Sequence, residues 1–551
     1  MAGGQKKGEE IIIIDSELLK QVNISTNGYA VLASGVFDKH NANGVSEHEL
    51  YGPGSYLHIF SQNNKLVIAQ DFLGSWGLYL YKKDNYFAIS NSILDLISYL
   101  SNKVELTLNY DYANELILSP LSSRAYKETI VNEIELLDKD VRVIIDIDKK
   151  RLELEHIDYG ETSLGIDTFE GMQQLDKWAL KWGRIVNGLT KKTDQIQFDL
   201  SGGFDTRMVL ALLLGNGVDI NRIRVNSMED GLHTHSEDYV IAKKIADDFG
   251  FKLNSRKLRM DSRPYTAEES LAISTRVKMT THKEFCYPVR KYKYKRYNIS
   301  GGGGEMIRGQ YGCTEAQFIE KETRAADRFS EPLCSNLKES CKRLYHRSFK
   351  ALREKYGSSK WSSDGIMYYV NTRCRTHFGR VNAEGFFANR YTLAPLMDPD
   401  LLKLRISTDE CKDPNLLMAI IFTRYCDKLL NYEFEGGRSI DAGTIEYARS
   451  LNNRFPFHRD TSDDVEIDVV TMDESVIPEP DTSASWKEID DILLKRFKSD
   501  EVKEIFSKYF DMEIYEYALK NAREKEYFPL REVYAVMGIV EVLKLINTSR
   551  E

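Results

Sequence analysis

The sequence predicts a two-part α/β plus α+β protein: a β-rich N-terminal region, then a parallel-sheet region with a helical C-terminus. Two observations carry that expectation. Between residues 11 and about 160, short runs rich in β-branched and aromatic residues (11–14, 56–60, 65–69, 78–81, 86–89 and 141–145) are punctuated by Gly, Asn, Asp and Pro, as strand ends require. From about Thr168 onward, longer helical periods alternate with short apolar strands, the mark of a parallel sheet with crossover helices. The division falls at residues 1–165 and 166–551.

Each element has its own signal. Ser61-Gln62-Asn63-Asn64 between two apolar runs reads as a hairpin turn. Residues 196–200 read as a strand, 206–214 as a helix, 223–225 as a second strand and 239–249 as a second helix. Residues 463–481 hold eight acids and no Lys or Arg, with Pro478 and Pro480 near the end, so 460–484 reads as a solvated loop or linker. Ser485-Trp-Lys-Glu488 has the form of a capping box that opens a helix to about Phe497. Val533, Val536, Met537, Val540 and Leu543 sit at helical spacing and read as packing.

Composition excludes several classes. Hydrophobic residues make up 42% and charged residues 29% of the 551, an ordinary globular balance. With 75 Lys and Arg against 84 Asp and Glu, the net charge of −9 disfavours a general nucleic-acid binder. Apolar runs such as 208–214 fall far short of the roughly 20 residues a membrane span needs. No signal-peptide core follows the N-terminus, so a soluble, cytoplasmic protein is expected. The 7 cysteines begin at Cys286 and include no CxxC pair, so neither a disulfide framework nor a zinc site is expected.

The strongest chemical signal is Phe198-Asp-Leu-Ser201-Gly202-Gly203-Phe-Asp205-Thr206, between a predicted strand and a predicted helix. Two glycines let the backbone turn tightly and aim successive N–H groups at one point. The Ser201 and Thr206 hydroxyls and the helix N-terminus add donors for an anion. Asp205 would repel a bare phosphate, so a Mg²⁺ ion between them is implied. The loop resembles the pyrophosphate-binding SGGxD[ST] motif of the ATP pyrophosphatase superfamily, whose members adenylate a substrate oxygen and release pyrophosphate. It is not a Walker A loop, whose spacing and Lys are missing.

A second cluster, Ser300-Gly301-Gly302-Gly303-Gly304-Glu305-Met-Ile-Arg308-Gly-Gln-Tyr311, resembles the asparagine synthetase motif SGEGSDExxxGY. The resemblance places Glu305 as a second Mg²⁺ ligand beside Asp205, and Leu200, Ser201, Gly202, Gly203, Thr206, Val225, Ser300 and Gly301 around ATP. Gly302 stands where the family has Glu, and Gly304 where it has Ser. Leu393-Ala-Pro-Leu-Met-Asp398 resembles the family's RVPFLD segment, and Ser236-Glu-Asp238 its S-P-D element. Arg438, in Phe434-Glu-Gly-Gly-Arg438, falls on the family's catalytic Lys. It is either a charge-neutralising group for the α-phosphate or a surface arginine. His233 and His235 lack an evident third ligand and read as a solvated loop. The basic–aromatic run 291–297 reads as a solvated helix face rather than a single-strand binder.

The N-terminal region resembles the family's glutaminase domain at Gly52-Pro-Gly-Ser-Tyr56, Ala69-Gln-Asp71-Phe-Leu-Gly74 and Ile89-Ser-Asn91. The resemblance implies an N-terminal-nucleophile-like β-sandwich, followed by an ATP pyrophosphatase synthetase domain. Ala2 follows Met1 where working members expose a Cys, and the glutamine-binding stretch is missing. A dead glutaminase is therefore expected. The implied protein is an ATP- and Mg²⁺-dependent amide-forming ligase. Its catalytic set is Asp205, Glu305 and Arg438; its substrate is a small-molecule, sugar or peptide carboxylate; its amine is not made by its own glutaminase. β-Lactam synthetases and lasso-peptide cyclases in this family work that way. A partner protein and a homodimer stay open. The alternatives are a catalytically degenerate nucleotide- or partner-binding protein, or another ATP pyrophosphatase of the tRNA-modifying or NAD-synthetase-like kind.

Overall fold

The computed structural model of the chain describes residues 12–17, 19, 25–41, 52–120, 125–157, 164–229, 233–255, 257–277, 288–308, 312–357, 363–405, 411, 413–457, 466–472, 486–524 and 530–547. It is a mixed α/β protein. Two largely antiparallel sheets come mostly from the first 156 residues, and a four-stranded parallel sheet follows.

The larger N-terminal sheet runs, edge to edge, Arg151–His156, Val141–Asp146, Lys65–Gln70, Gly54–Gln62, Ser25–Leu32, Gly35–Asp38 and, from far along the chain, Asp468–Val469. Its central hairpin turns at Asn63 and Asn64 with φ of 49° and 61°, the left-handed pair that Asn tolerates in a tight hairpin turn. The smaller sheet orders Ile13–Asp15, Tyr86–Ser90, Tyr79–Lys83 and Ile134–Leu136. Inward side chains of both sheets, such as Leu57, Ile68, Val143, Leu80 and Ile89, meet in one buried cluster, as period-2 alternation dictates.

The helix Phe169–Lys192 opens the second region, capped by the Thr168 hydroxyl accepting from the Gly171 N–H. The parallel sheet orders Arg224–Asn226, Ile196–Asp199, Arg296–Ile299 and Arg390–Leu393. Buried helices cover it, among them Phe204–Gly215 and Leu416–Tyr425. The capping-box helix spans Trp486–Phe497; Ser485 itself lies outside the described residues. The closing helix Arg531–Asn547 buries all five residues named for packing.

Two expectations need correction. The acidic segment is not wholly a solvated linker: Asp468–Val469 pairs in parallel with Gly35 and Val36 at the edge of the large N-terminal sheet. Backbone bonds fasten it, Asp468 N–H to the Ser34 carbonyl and Lys295 N–H to the Thr471 carbonyl. The rest of 460–484 lies outside the described residues, except 466, 467 and 470–472. The run 291–297 is not a helix face. Its ends lie in the strands Arg290–Tyr292 and Arg296–Ile299, and Lys295, in the short link between them, is buried against Asp38 at 3.3 Å. Aromatic residues at alternate positions favour a strand there.

Candidate functional site

In the parallel sheet the strand Ile196–Asp199 has its sequence successor on one side and Arg296–Ile299 on the other. The strand order therefore reverses beside it. Open α/β sheets bind ligands at such a reversal, beyond the carboxyl ends of the strands. Both glycine-rich loops leave the sheet there.

The first loop is folded on itself by short polar contacts. The Ser201 N–H donates to Thr206 Oγ1 at 3.1 Å, and the two hydroxyls lie 3.1 Å apart. The Gly203 N–H donates to Ser201 Oγ at 3.1 Å, and the Gly202 N–H to Asp238 Oδ1 at 2.5 Å. All three N–H groups, of Ser201, Gly202 and Gly203, thus have protein partners, and Asp238 gains a definite place as the brace of the loop. The helix Phe204–Gly215 starts at Gly203 with no side chain capping its N-terminus, leaving that end available to an anion.

The second loop turns at Gly303, whose φ of +87° suits glycine, into the short turn Gly304–Met306. Glycine is also what lets the two loops touch. A Cβ on Gly301 would lie 2.6 Å from the Thr206 nitrogen, and one on Gly304 2.2 Å from Asp205 Cγ. At Gly302 a Cβ would meet Met397 at 3.1 Å and Phe378 at 3.3 Å. Ser300 Oγ would lie 3.2 Å away as well, so the space at Gly302 is bounded by two apolar side chains and one hydroxyl.

A cavity of about 360 Å³ lies between the loops. Of the predicted residues it gathers Ser201, Gly203, Asp205, Thr206, Ser300, Gly301, Glu305 and Arg438 on its wall, and adds Asp199, Phe204, Gly302, Arg308, Phe378 and Glu435. Leu200 and Val225 are not on that wall; both are buried in the core at 2% and 0% exposure. Gly202 is buried beneath the loop, its N–H turned to Asp238.

The charges are arranged in pairs. Asp205 Oδ1 lies 3.0 Å from Arg308 Nε, and Arg308 Nη2 donates to Asp205 Oδ2 at 3.1 Å. Burial pushes the Asp205 carboxyl up to about 6; Arg308 opposes the shift and Glu305 adds to it. Glu305 accepts from the Tyr369 hydroxyl at 3.3 Å. Arg438 donates to the Glu435 carbonyl at 2.9 Å and to Glu435 Oε2 at 2.8 Å, with its guanidinium 5.1 Å from the Phe204 ring centre. It is half-exposed, on a Glu-Gly-Gly-Arg turn held to the first loop by the Glu435 N–H donating to the Gly202 carbonyl at 3.1 Å.

Sequence reasoning missed Arg207 and Arg308. Arg207 is fully buried and donates to the carbonyls of Gly202, Tyr432 and Glu433 at 2.9, 3.0 and 2.7 Å, stacking over Phe434. Burial lowers its guanidinium to about 10. It staples the first loop to the segment that carries Arg438. A lone charge heading the apolar run 208–214 was the only signal.

Asp138, Asp140 and His156 have metal-ligand spacing among the described residues. The Lys355 ammonium already sits 2.8 Å from Asp138 and on Asp140, and Lys127 lies 3.0 Å from Asp138, so cations of the chain itself hold the acids. His233 and His235 open the helix His233–Phe249 rather than a loop, and their side chains lie outside the described residues. Asp398 is structural, accepting from Trp182 Nε1 at 2.7 Å and pairing with Lys181 at 2.6 Å. The chain matches no protein-family model, and no curated protein matches it significantly.

Proposed function

We propose that this chain is an ATP- and Mg²⁺-dependent ligase of the asparagine synthetase-like kind, forming an amide bond through an acyl-adenylate and releasing AMP and pyrophosphate. The observation that supports it is the meeting of two glycine-rich loops at a strand-order reversal, with Asp205 and Glu305 on one cavity wall beside Ser201, Thr206 and Ser300. Four carboxylates against two guanidiniums give that wall an acidic excess, which opposes a bare triphosphate and suits oxygen-seeking Mg²⁺.

In this reading Asp205 and Glu305 hold the cation, which spreads charge off the leaving pyrophosphate. Ser201, Thr206, Ser300 and the open N-terminus of Phe204–Gly215 hold phosphate oxygens. Arg438 approaches the first loop (a Cβ on Gly203 would lie 3.8 Å from its Nη2) and neutralises charge near the α-phosphate. The substrate carboxylate, on a small molecule, sugar or peptide, faces Gly302 and Phe378 rather than a Glu, so plain aspartate fits poorly. No Cys precedes Cys286, so the amine comes from the substrate, from free ammonia or from a partner. The N-terminal region is read as a glutaminase-like sandwich that has kept its scaffold role. Among the described residues no helix is long and apolar enough to cross a membrane; the cytoplasmic setting is part of the proposal.

Calorimetry with an α,β-non-hydrolysable ATP analogue tests the reading. Binding that requires Mg²⁺ and disappears in Asp205→Ala supports it. Binding that ignores Mg²⁺ and tolerates the substitution overturns it.

A further inference from the structure

Arg308 is unaccounted for in the reaction above, and the structure gives it a specific partner. We propose that Arg308 is a tethered cation guarding Asp205: it withholds the carboxylate from a divalent cation arriving alone and yields it to one carried by a polyphosphate. The inference rests on the reading of Asp205 as a cation ligand.

Four observations carry it. The guanidinium lies close to both oxygens of Asp205: Nη2 donates to Oδ2 at 3.1 Å, a charge-assisted hydrogen bond of the strong kind, and Nε stands 3.0 Å from Oδ1 as an ion pair without hydrogen-bond alignment. Both side chains are mostly buried, at 15% and 21% exposure, so solvent screens the pair little. Gly304 makes the arrangement feasible, since any Cβ there would strike Asp205 Cγ at 2.2 Å. Arg308 and Arg438 line the same cavity, so the phosphates that bring a cation also offer the guanidinium new partners.

The chemistry sets the order of events. A guanidinium keeps its charge at any working pH, so it cannot leave by deprotonation. A lone divalent cation at Asp205 must either displace Arg308 without compensation or sit beside its charge. Phosphate oxygens are the other group that the Arg fork binds bidentately. Arg308 can therefore exchange Asp205 for a phosphate, and the carboxylate is freed at the moment the cation arrives.

Mn²⁺ binding followed by electron paramagnetic resonance tests this on the full chain. The wild type is compared with Arg308→Gln, Arg308→Ala as a second charge-removing variant, and Arg308→Lys. Each is titrated with and without α,β-methylene-ATP. For Mn²⁺ alone, Arg308→Gln and Arg308→Ala bind about ten- to a hundredfold tighter than wild type, the worth of a charge-assisted pair, while Arg308→Lys stays near wild type. With the analogue present the wild type gains affinity and its gap to Arg308→Gln narrows. Equal affinity of the wild type and both charge-removing variants for Mn²⁺ alone, with analogue binding intact, overturns the inference. If the wild type fails to bind Mn²⁺ even with the analogue, the nucleotide site itself falls, and the guard with it.

Discussion

Asp205 shows how burial turns into pH dependence. Its carboxyl is raised from 3.8 to about 6, chiefly by burial, so the folded chain holds the proton more tightly than the unfolded chain. The associated stability is complete below pH 3.8 and is lost as the pH rises through 6. Asp205→Asn, which imitates the protonated form, should match wild type near pH 4. It should be more stable at pH 7.5 by at most about 3 kcal/mol. Denaturant unfolding at the two pH values checks this, and a difference that does not change with pH refutes it. By the same shift, Mg²⁺-dependent analogue binding to the wild type should weaken below pH 6, where protons compete for the carboxylate. Arg207 carries a different consequence. Arg207→Met leaves the carbonyls of Gly202, Tyr432 and Glu433 without their donor, at a cost of about 3 kcal/mol. Hydrogen exchange should then rise across 432–438 while the sheet stays protected. Unchanged exchange there would show that Arg207 does not hold the turn.

At the scale of elements, the loops were legible because their chemistry is local. A strand, two glycines, an acid, a hydroxyl and an apolar helical run follow each other without interruption, and the structure keeps them in that order from Ile196 to Gly215. The hairpin at Asn63-Asn64 and the change to helical periods at about Thr168 were legible for the same reason. What failed depends on distant partners. Nothing in the acids of 463–481 announces that Asp468 will extend a sheet edge at Gly35, because only backbone groups make that contact. Lys295 looked solvated because its partner, Asp38, is more than 250 residues away in the chain. The Arg308–Asp205 pair was hidden likewise, across the gap between two motifs. Contact between those motifs is itself testable. Gly301→Ala puts a Cβ 2.6 Å from the Thr206 nitrogen, with backbone rather than a pliable side chain in its way. The two loops must part, and affinity for the Mg²⁺-bound analogue should fall about tenfold or more while the circular dichroism spectrum is kept. Wild-type affinity in Gly301→Ala would mean that the two loops need not touch to form the site.

At the scale of the molecule, packing does not respect the boundary drawn at residue 165. One buried cluster joins Tyr29, Leu57 and Trp76 to Trp178, Phe198 and Ile421, and another joins Ala88 and Leu116 to Phe349 and Val540. Polar contacts cross at the same places. Arg375 donates to the carbonyls of Gly74 and Leu137 at 3.1 and 2.6 Å, and Arg380 to the Trp76 carbonyl at 2.6 Å. The Lys295 ammonium, 2% exposed, faces Asp38 at 3.3 Å across the junction. Those arginines flank Phe378, so the N-terminal region holds the wall of the cavity in place. Unfolding either part alone would expose the apolar surface of both clusters and strand these cations without their partners, each at several kcal/mol. The two regions should therefore melt together. Scanning calorimetry of the whole chain should give one endotherm with matching calorimetric and van't Hoff enthalpies. Asp38→Ala should move that single endotherm to lower temperature instead of splitting it. Two separated endotherms in the wild type, only the earlier shifted by Asp38→Ala, would mean that the N-terminal region is an independent domain and cannot be what positions Phe378.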